Sequence, residues 1–208
     1  MRFRLLAIPF LALALAQAPA SADVTFLFDM DTGLAEIQET RTTEWKDTFD
    51  IDIWLEADAA ITEFSTIFIF DPQYVTVVEN SVLTPDYGDA GFEMTGRPGG
   101  FEQTSSLTLN NEGGTLGLFG GGDGATARSG SFIVGRLTLS VLNPTMEDTT
   151  ESLLGFDASA ADFFGAPTTV TPVFGASTLT ISAVPEPSAF AFCFAGTALL
   201  TYRRRRSR

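Results

Sequence analysis

The chain has 208 residues, a formal net charge of −14, no histidine and a single cysteine, Cys193, which excludes histidine-based catalysis, histidine metal ligation and a disulfide within the chain. The acidity is concentrated between Asp23 and Val184, where five basic side chains face twenty-five acidic ones for a net of −20. A body so charged repels phosphate and excludes nucleic acid as a partner.

The first segment reads as an address. Arg2 and Arg4 form a basic start, Leu5 to Ala16 is apolar, and Ala20-Ser21-Ala22 is the small-x-small pattern that signal peptidase accepts. Residues 1–22 are therefore expected to be a signal peptide cleaved after Ala22, with Ala20 and Ala22 as the cleavage-site residues.

The body, residues 23–183, reads as β structure. Val24 to Met30 is a first strand candidate and Asp31-Thr32-Gly33 a turn; Leu34 to Glu44 is polar, a strand pair or a loop. Phe49 to Leu55 alternates apolar and acidic residues, which predicts a half-buried strand with Phe49, Ile51, Ile53 and Leu55 inward and Asp50 and Asp52 on the wet face. Glu56 to Ala60 is read as the turn into a second long strand, Ile61 to Phe70, with Phe64, Thr66, Phe68 and Phe70 on one face; Asp71-Pro72 stops it. Tyr74 to Val78 is a short strand and Pro85 to Gly100 a long loop. Ser105 to Leu109 and Thr115 to Phe119 form a hairpin across Asn111-Glu112-Gly113-Gly114. Gly120 to Gly130 is a flexible loop, and Phe132 to Leu142, Leu153 to Ala158 and Ser177 to Ser182 complete the strands. About nine strands, Gly-rich turns and the lack of an amphipathic helix predict an all-β chain folded as an antiparallel β-sandwich.

The last segment, residues 184–208, runs Val184-Pro185-Glu186-Pro187, then an almost wholly apolar stretch from Ala189 to Tyr202, then Arg203, Arg204, Arg205 and Arg206. The prolines forbid helix interior, the apolar stretch is a short helical span, and the arginines hold that end on the cytoplasmic side with the body outside. This ordered trio resembles the PEP-CTERM sorting signal of bacterial exported proteins. The resemblance implies an exosortase-type processing enzyme as partner, membrane insertion through the C-terminal helix before processing, and a final place at the cell envelope or outer surface. The alternative is a plain tail anchor, which gives the same orientation.

The body also resembles cohesin-type and carbohydrate-binding jelly-roll sandwiches. Phe70-Asp71-Pro72 falls between a long strand and the valine-rich Val75–Val78, and Gly130 to Leu139 matches the small-residue strand before the family's final pair. Cohesin-type domains bind other protein modules and related sandwiches bind polysaccharide, although fold alone transfers neither activity.

Candidate chemistry is sparse. Asp29 and Asp31, with Gly33 and Glu36 beyond, could gather oxygens around Ca²⁺, but Gly33 breaks the EF-hand pattern and a simple acidic turn is the alternative. Asp86, Asp89, Glu93 and Asp123 lie in Gly-rich loops and could also meet a cation. Trp54 and Trp45, then Tyr74 and Tyr87, are the candidates for stacking on a sugar face. Serine has no histidine partner and no Gly-x-Ser-x-Gly elbow, and the glycines at 120–122 and 124 lack the Lys-Ser/Thr of a phosphate loop. With so many acids a carboxylate pair for glycoside hydrolysis carries no signal. The expectation is a non-catalytic surface or matrix protein for adhesion or assembly, without an obligatory cofactor; a polysaccharide-binding module is the alternative.

Overall fold

The computed structural model describes residues 22–34, 36–89, 92, 99–122, 124–142, 149–165 and 170–182. The sorting tail, Glu93, Asp123 and the signal segment up to residue 21 lie outside the described residues. Twelve strands follow in chain order: β1 (Ala22–Asp29), β2 (Thr40–Glu44), β3 (Thr48–Ile61), β4 (Glu63–Phe70), β5 (Val75–Val77), β6 (Ser105–Asn110), β7 (Thr115–Gly120), β8 (Arg128–Val141), β9 (Thr150–Phe156), β10 (Asp162–Phe164), β11 (Val170–Phe174) and β12 (Ser177–Ser182). Five make one sheet in the order β11-β1-β3-β8-β5; the second runs β2-β12-β9-β4-β7-β6, with β10 also paired to β4.

The predicted inward faces are those that pack between the sheets. Phe49, Ile51, Ile53 and Leu55 of β3 meet Phe64, Phe68 and Phe70 of β4 in one core, with Val24, Phe26 and Phe28 of β1 and Leu137, Leu139 and Val141 of β8. Aromatic rings bridge the layers: Phe28 stacks on Phe156 at 4.4 Å and Phe26 meets Phe64 edge-on at 5.7 Å. Each such ring contributes about 1.5–3 kcal/mol through burial.

Three sequence expectations need correction. The turn expected at Glu56 to Ala60 is strand: β3 pairs with β8 through Ala57 and again at Ile61 opposite Arg128, with a register irregularity between them, and the chain reverses at Thr62 instead. β10 and β11 were not foreseen, since each is short and β11 carries Pro172. The sandwich is also not wholly antiparallel. The chain from β11 crosses between the sheets through Gly175, whose N–H donates to the Phe26 carbonyl, and continues as β12. Both halves of this sheet-switching segment pair in parallel, β11 with β1 and β12 with β2.

The opposite lateral edge is closed by a side chain. The Asn111 amide accepts from the Val77 N–H and donates to the Val77 carbonyl, both at 2.9 Å, and so ties the β6–β7 turn to the edge strand β5. Gly114 ends that turn at φ 65°, where a Cβ would collide with the Phe70 carbonyl that lies against it.

Candidate protein-docking face

The two outer faces of the sandwich differ. On the five-stranded sheet a register shift lets Trp54 oppose Ile133 while Ile53 opposes Gly135, so Val134 is an extra residue in β8. Trp54, Ile133, Asp29 and Asp52 are all buried on the side away from the main core. Asp52, expected on the wet face, instead accepts two 2.6 Å hydrogen bonds from the Arg136 guanidinium. Burial pushes the Asp52 carboxyl up, and Arg136 works against that rise. The Phe92 ring lies 4.9 Å from the guanidinium, and Leu83 bridges the Arg136 backbone. Further along, the Tyr87 ring carries the Arg128 guanidinium at 3.4 Å. Leu83, Tyr87 and Phe92 thus pack against the β8 side of this sheet.

Among the described residues nothing packs over the centre of the other sheet's outer face. Ile69 of β4 lies opposite Gly155 of β9 and Thr115 of β7, and Ile67 lies opposite Gly117. Glycine on both flanking strands leaves the isoleucines without tall neighbours. Leu153, on the same face as Thr178 of β12, is 65 % exposed and Ile69 39 %. Phe119 is half-buried opposite Ser65. Around this apolar strip stand Glu63 and Glu151, with Thr178 and Thr180 towards β12. The result is a flat, apolar-centred, acid-rimmed surface on regular strands, suited to a complementary protein face. Sequence reasoning passed over these residues. Their signal was apolar Ile69 and Leu153 at outward positions of otherwise alternating strands.

The residues singled out from sequence do not converge. Trp54 is fully buried and presents no ring to a ligand, because the alternation that placed it outward does not reveal that its side of the sheet is covered. Trp45 is 37 % exposed with the Lys46 ammonium 4.0 Å from its ring. Trp45 lies beside the end of β8 and Tyr87 beside its start, so the two exposed rings do not form a row. Tyr74 packs against the core.

Asp29 and Asp31 form the acidic turn rather than an open cage. Asp29 Oδ1 accepts from the Asp31 and Gln38 N–H groups at 3.1 Å each, and Asp31 Oδ1 accepts from Gly33 N–H at 3.2 Å. Burial pushes the Asp29 carboxyl up. Asp86 and Asp89 serve their own loop: Asp86 Oδ1 accepts from Thr104 N–H and Asp89 Oδ2 from Asp86 N–H. Among the described residues no cluster of three or more acidic or cysteine side chains is placed to hold a metal ion. Nor, among them, is any helix long and apolar enough to cross a membrane.

No protein-family model matches the chain, and no curated protein matches it. Solved structures do. The seventh ScaB type I cohesin from Pseudobacteroides cellulosolvens is 12 % identical at a TM-score of 0.52, over 80 % of this chain and 96 % of that one. The solution structure of CaCohA2 from Clostridium acetobutylicum is 10 % identical at a TM-score of 0.52, over 80 % and 94 %. At these identities the likeness establishes a cohesin-like β-sandwich fold.

Proposed function

We propose that the protein is a non-catalytic surface module that docks a protein partner on the outer face of its six-strand path, with the body exported and held at the cell envelope by its C-terminal segment. The observation that carries the docking reading is the asymmetry of the two faces. On one, Leu83, Tyr87 and Phe92 pack beside β8, and on the other Ile69, beside Gly155, and Leu153, beside Thr178, are exposed. One analogy stands beside that face: the body has the cohesin-like fold, and cohesin-type domains as a class bind protein modules, although the fold by itself transfers no activity. The envelope reading rests on the signal-like residues 1–22 and on the PEP-CTERM-like order of Val184 to Pro187, the apolar stretch and Arg203 to Arg206. An exosortase-type enzyme is the processing partner that this order implies.

The test is site-directed photo-crosslinking in the producing cell, with the probe at 69 or 153 and a control probe at Asp50, which is exposed on the other face. Adducts from 69 and 153 but not from 50 are expected. Leu153→Asp should remove them, because an unpaired charge at the centre of an interface weakens binding by about 2 kcal/mol or more, roughly 30-fold. Folding stability should change by less than about 0.5 kcal/mol, as for other exposed positions. Equal labelling from all three positions, or binding on a glycan array that survives Leu153→Asp, would reject the docking face. Recovery of the body in the cytosol would reject the envelope reading.

A further inference from the structure

The tip of the sandwich where the chain leaves β12 has its own chemistry. β2 and β12 run parallel and end level, with Ser182 paired to Glu44, so the end of β12 lies level with the turn that carries Trp45. Trp45 and Lys46 form the turn between β2 and β3. Lys46 N–H donates to the Val141 carbonyl, which sets the turn beside Leu142. Trp45 and Leu142 are exposed at 37 % and 39 %, and the Lys46 ammonium sits over the indole. Lys46 is the sole lysine of a strongly acidic chain and occupies φ 65°, a left-handed position that non-glycine residues adopt uncommonly. Of the two exposed acids that flank the turn, Glu44 and Asp47, the second is held within it: Asp47 Oδ2 accepts from Thr43 Oγ1 and from Glu44 N–H, both at 3.0 Å.

Only Ala183 to Ser188 separate this tip from the apolar stretch that opens at Ala189. Six residues reach at most about 20 Å when fully extended. A bilayer holding that stretch therefore lies close to the tip. A tryptophan with an exposed apolar neighbour and a single snorkelling lysine is the side-chain set that settles at the boundary between headgroup and acyl chain.

We infer that the Trp45–Lys46–Leu142 tip is a lipid-contact surface, which rests the sandwich on the membrane interface while the C-terminal segment is inserted. The inference depends on the envelope reading above. It implies that the long axis of the sandwich stands away from the bilayer and leaves the Ile69–Leu153 face lateral and accessible.

The chain has two tryptophans, and Trp54 is fully buried, so quenching from the lipid distinguishes the tip from the interior. The full chain is reconstituted into phosphatidylcholine vesicles with brominated acyl chains and separated by flotation. Zwitterionic lipid avoids repulsion by the acidic body. Flotation with quenching of the exposed-tryptophan emission, lost in Trp45→Phe, is the expected result. Flotation without quenching overturns the lipid-contact surface and leaves the anchor intact. Failure to float overturns both. Equal quenching in Trp45→Phe also overturns the assignment, because the quenched ring would then be Trp54. Lys46→Glu is expected to reduce the quenching while the protein still floats, a separation that an anchor acting alone does not produce.

Discussion

Asp50 and Asp52 stand two residues apart on one side of β3, yet the first is exposed and the second buried. The difference is Arg136, which faces Asp52 across the ladder and holds both carboxylate oxygens, while Asp50 accepts from Thr138 Oγ1 at 2.7 Å. Removing one partner of such a pair strands the other charge away from water. Arg136→Met is therefore expected to destabilise by about 3 kcal/mol, the low end for a broken buried pair, because the arginine side chain keeps 25 % of its surface exposed. Urea unfolding of the full chain measures this. The Asp52→Leu/Arg136→Met double variant should recover most of the loss, since no orphan charge remains. If the single variant cost nothing, the pair would have no structural role.

At the level of strands, the sandwich must protect its edges, and it does so differently on its two sides. One side is closed by the segment that passes from β11 to β12 across Gly175, which makes the parallel pairs with β1 and β2. The other depends on Asn111, whose amide fills the place of a further strand on β5. Asn111→Ala leaves the Val77 N–H and carbonyl without those partners. The expected loss is about 1–2 kcal/mol, with faster hydrogen exchange at the Val77 amide and little change at Phe68 in the sheet interior. Unchanged exchange at Val77 would show that the edge is held by packing alone. The strand pattern itself was largely legible. Alternation identified the inward faces of β3, β4 and β8, and Asn111 to Gly114 identified the hairpin turn. Alternation could not locate the extra residue at Val134, which is defined only by register against β3.

For the whole molecule, charge sets the pH response. Asp47, Glu102 and Asp157 are held below the usual carboxylate range. The causes are the Glu44 backbone N–H for Asp47, the Thr126 backbone N–H and Arg128 for Glu102, and the Ser159 hydroxyl and N–H for Asp157. Their stabilisation is present above the ordinary carboxylate pKa and is lost as pH falls through the lowered values. Asp29 and Asp52 are pushed up by burial, so their contribution is full below the ordinary value and is lost as pH rises through the raised one. Repulsion within a body of net −20 acts in the same direction as pH rises. Denaturation midpoints against pH should therefore peak on the acid side of neutrality, and added salt should raise the midpoint more at neutral pH than at the peak. A midpoint that climbs steadily through neutrality would contradict this balance. Glu102→Gln should blunt the acid limb only.

What the residues determine by their order alone is local: where strands run, which of their sides is apolar, where turns interrupt them, and that the two ends differ chemically from the body. These follow from a two-residue period and from turn stereochemistry, both written within a few neighbouring positions. The solvent side of each sheet was decided elsewhere. Trp54 and Ile69 both stand outward on their strands, yet one is buried and the other exposed; Leu83, Tyr87 and Phe92 pack beside β8, and nothing equivalent among the described residues covers β4. Burial on an outer face is a contact between parts of the chain far apart in sequence, and only the tertiary structure brings those parts together.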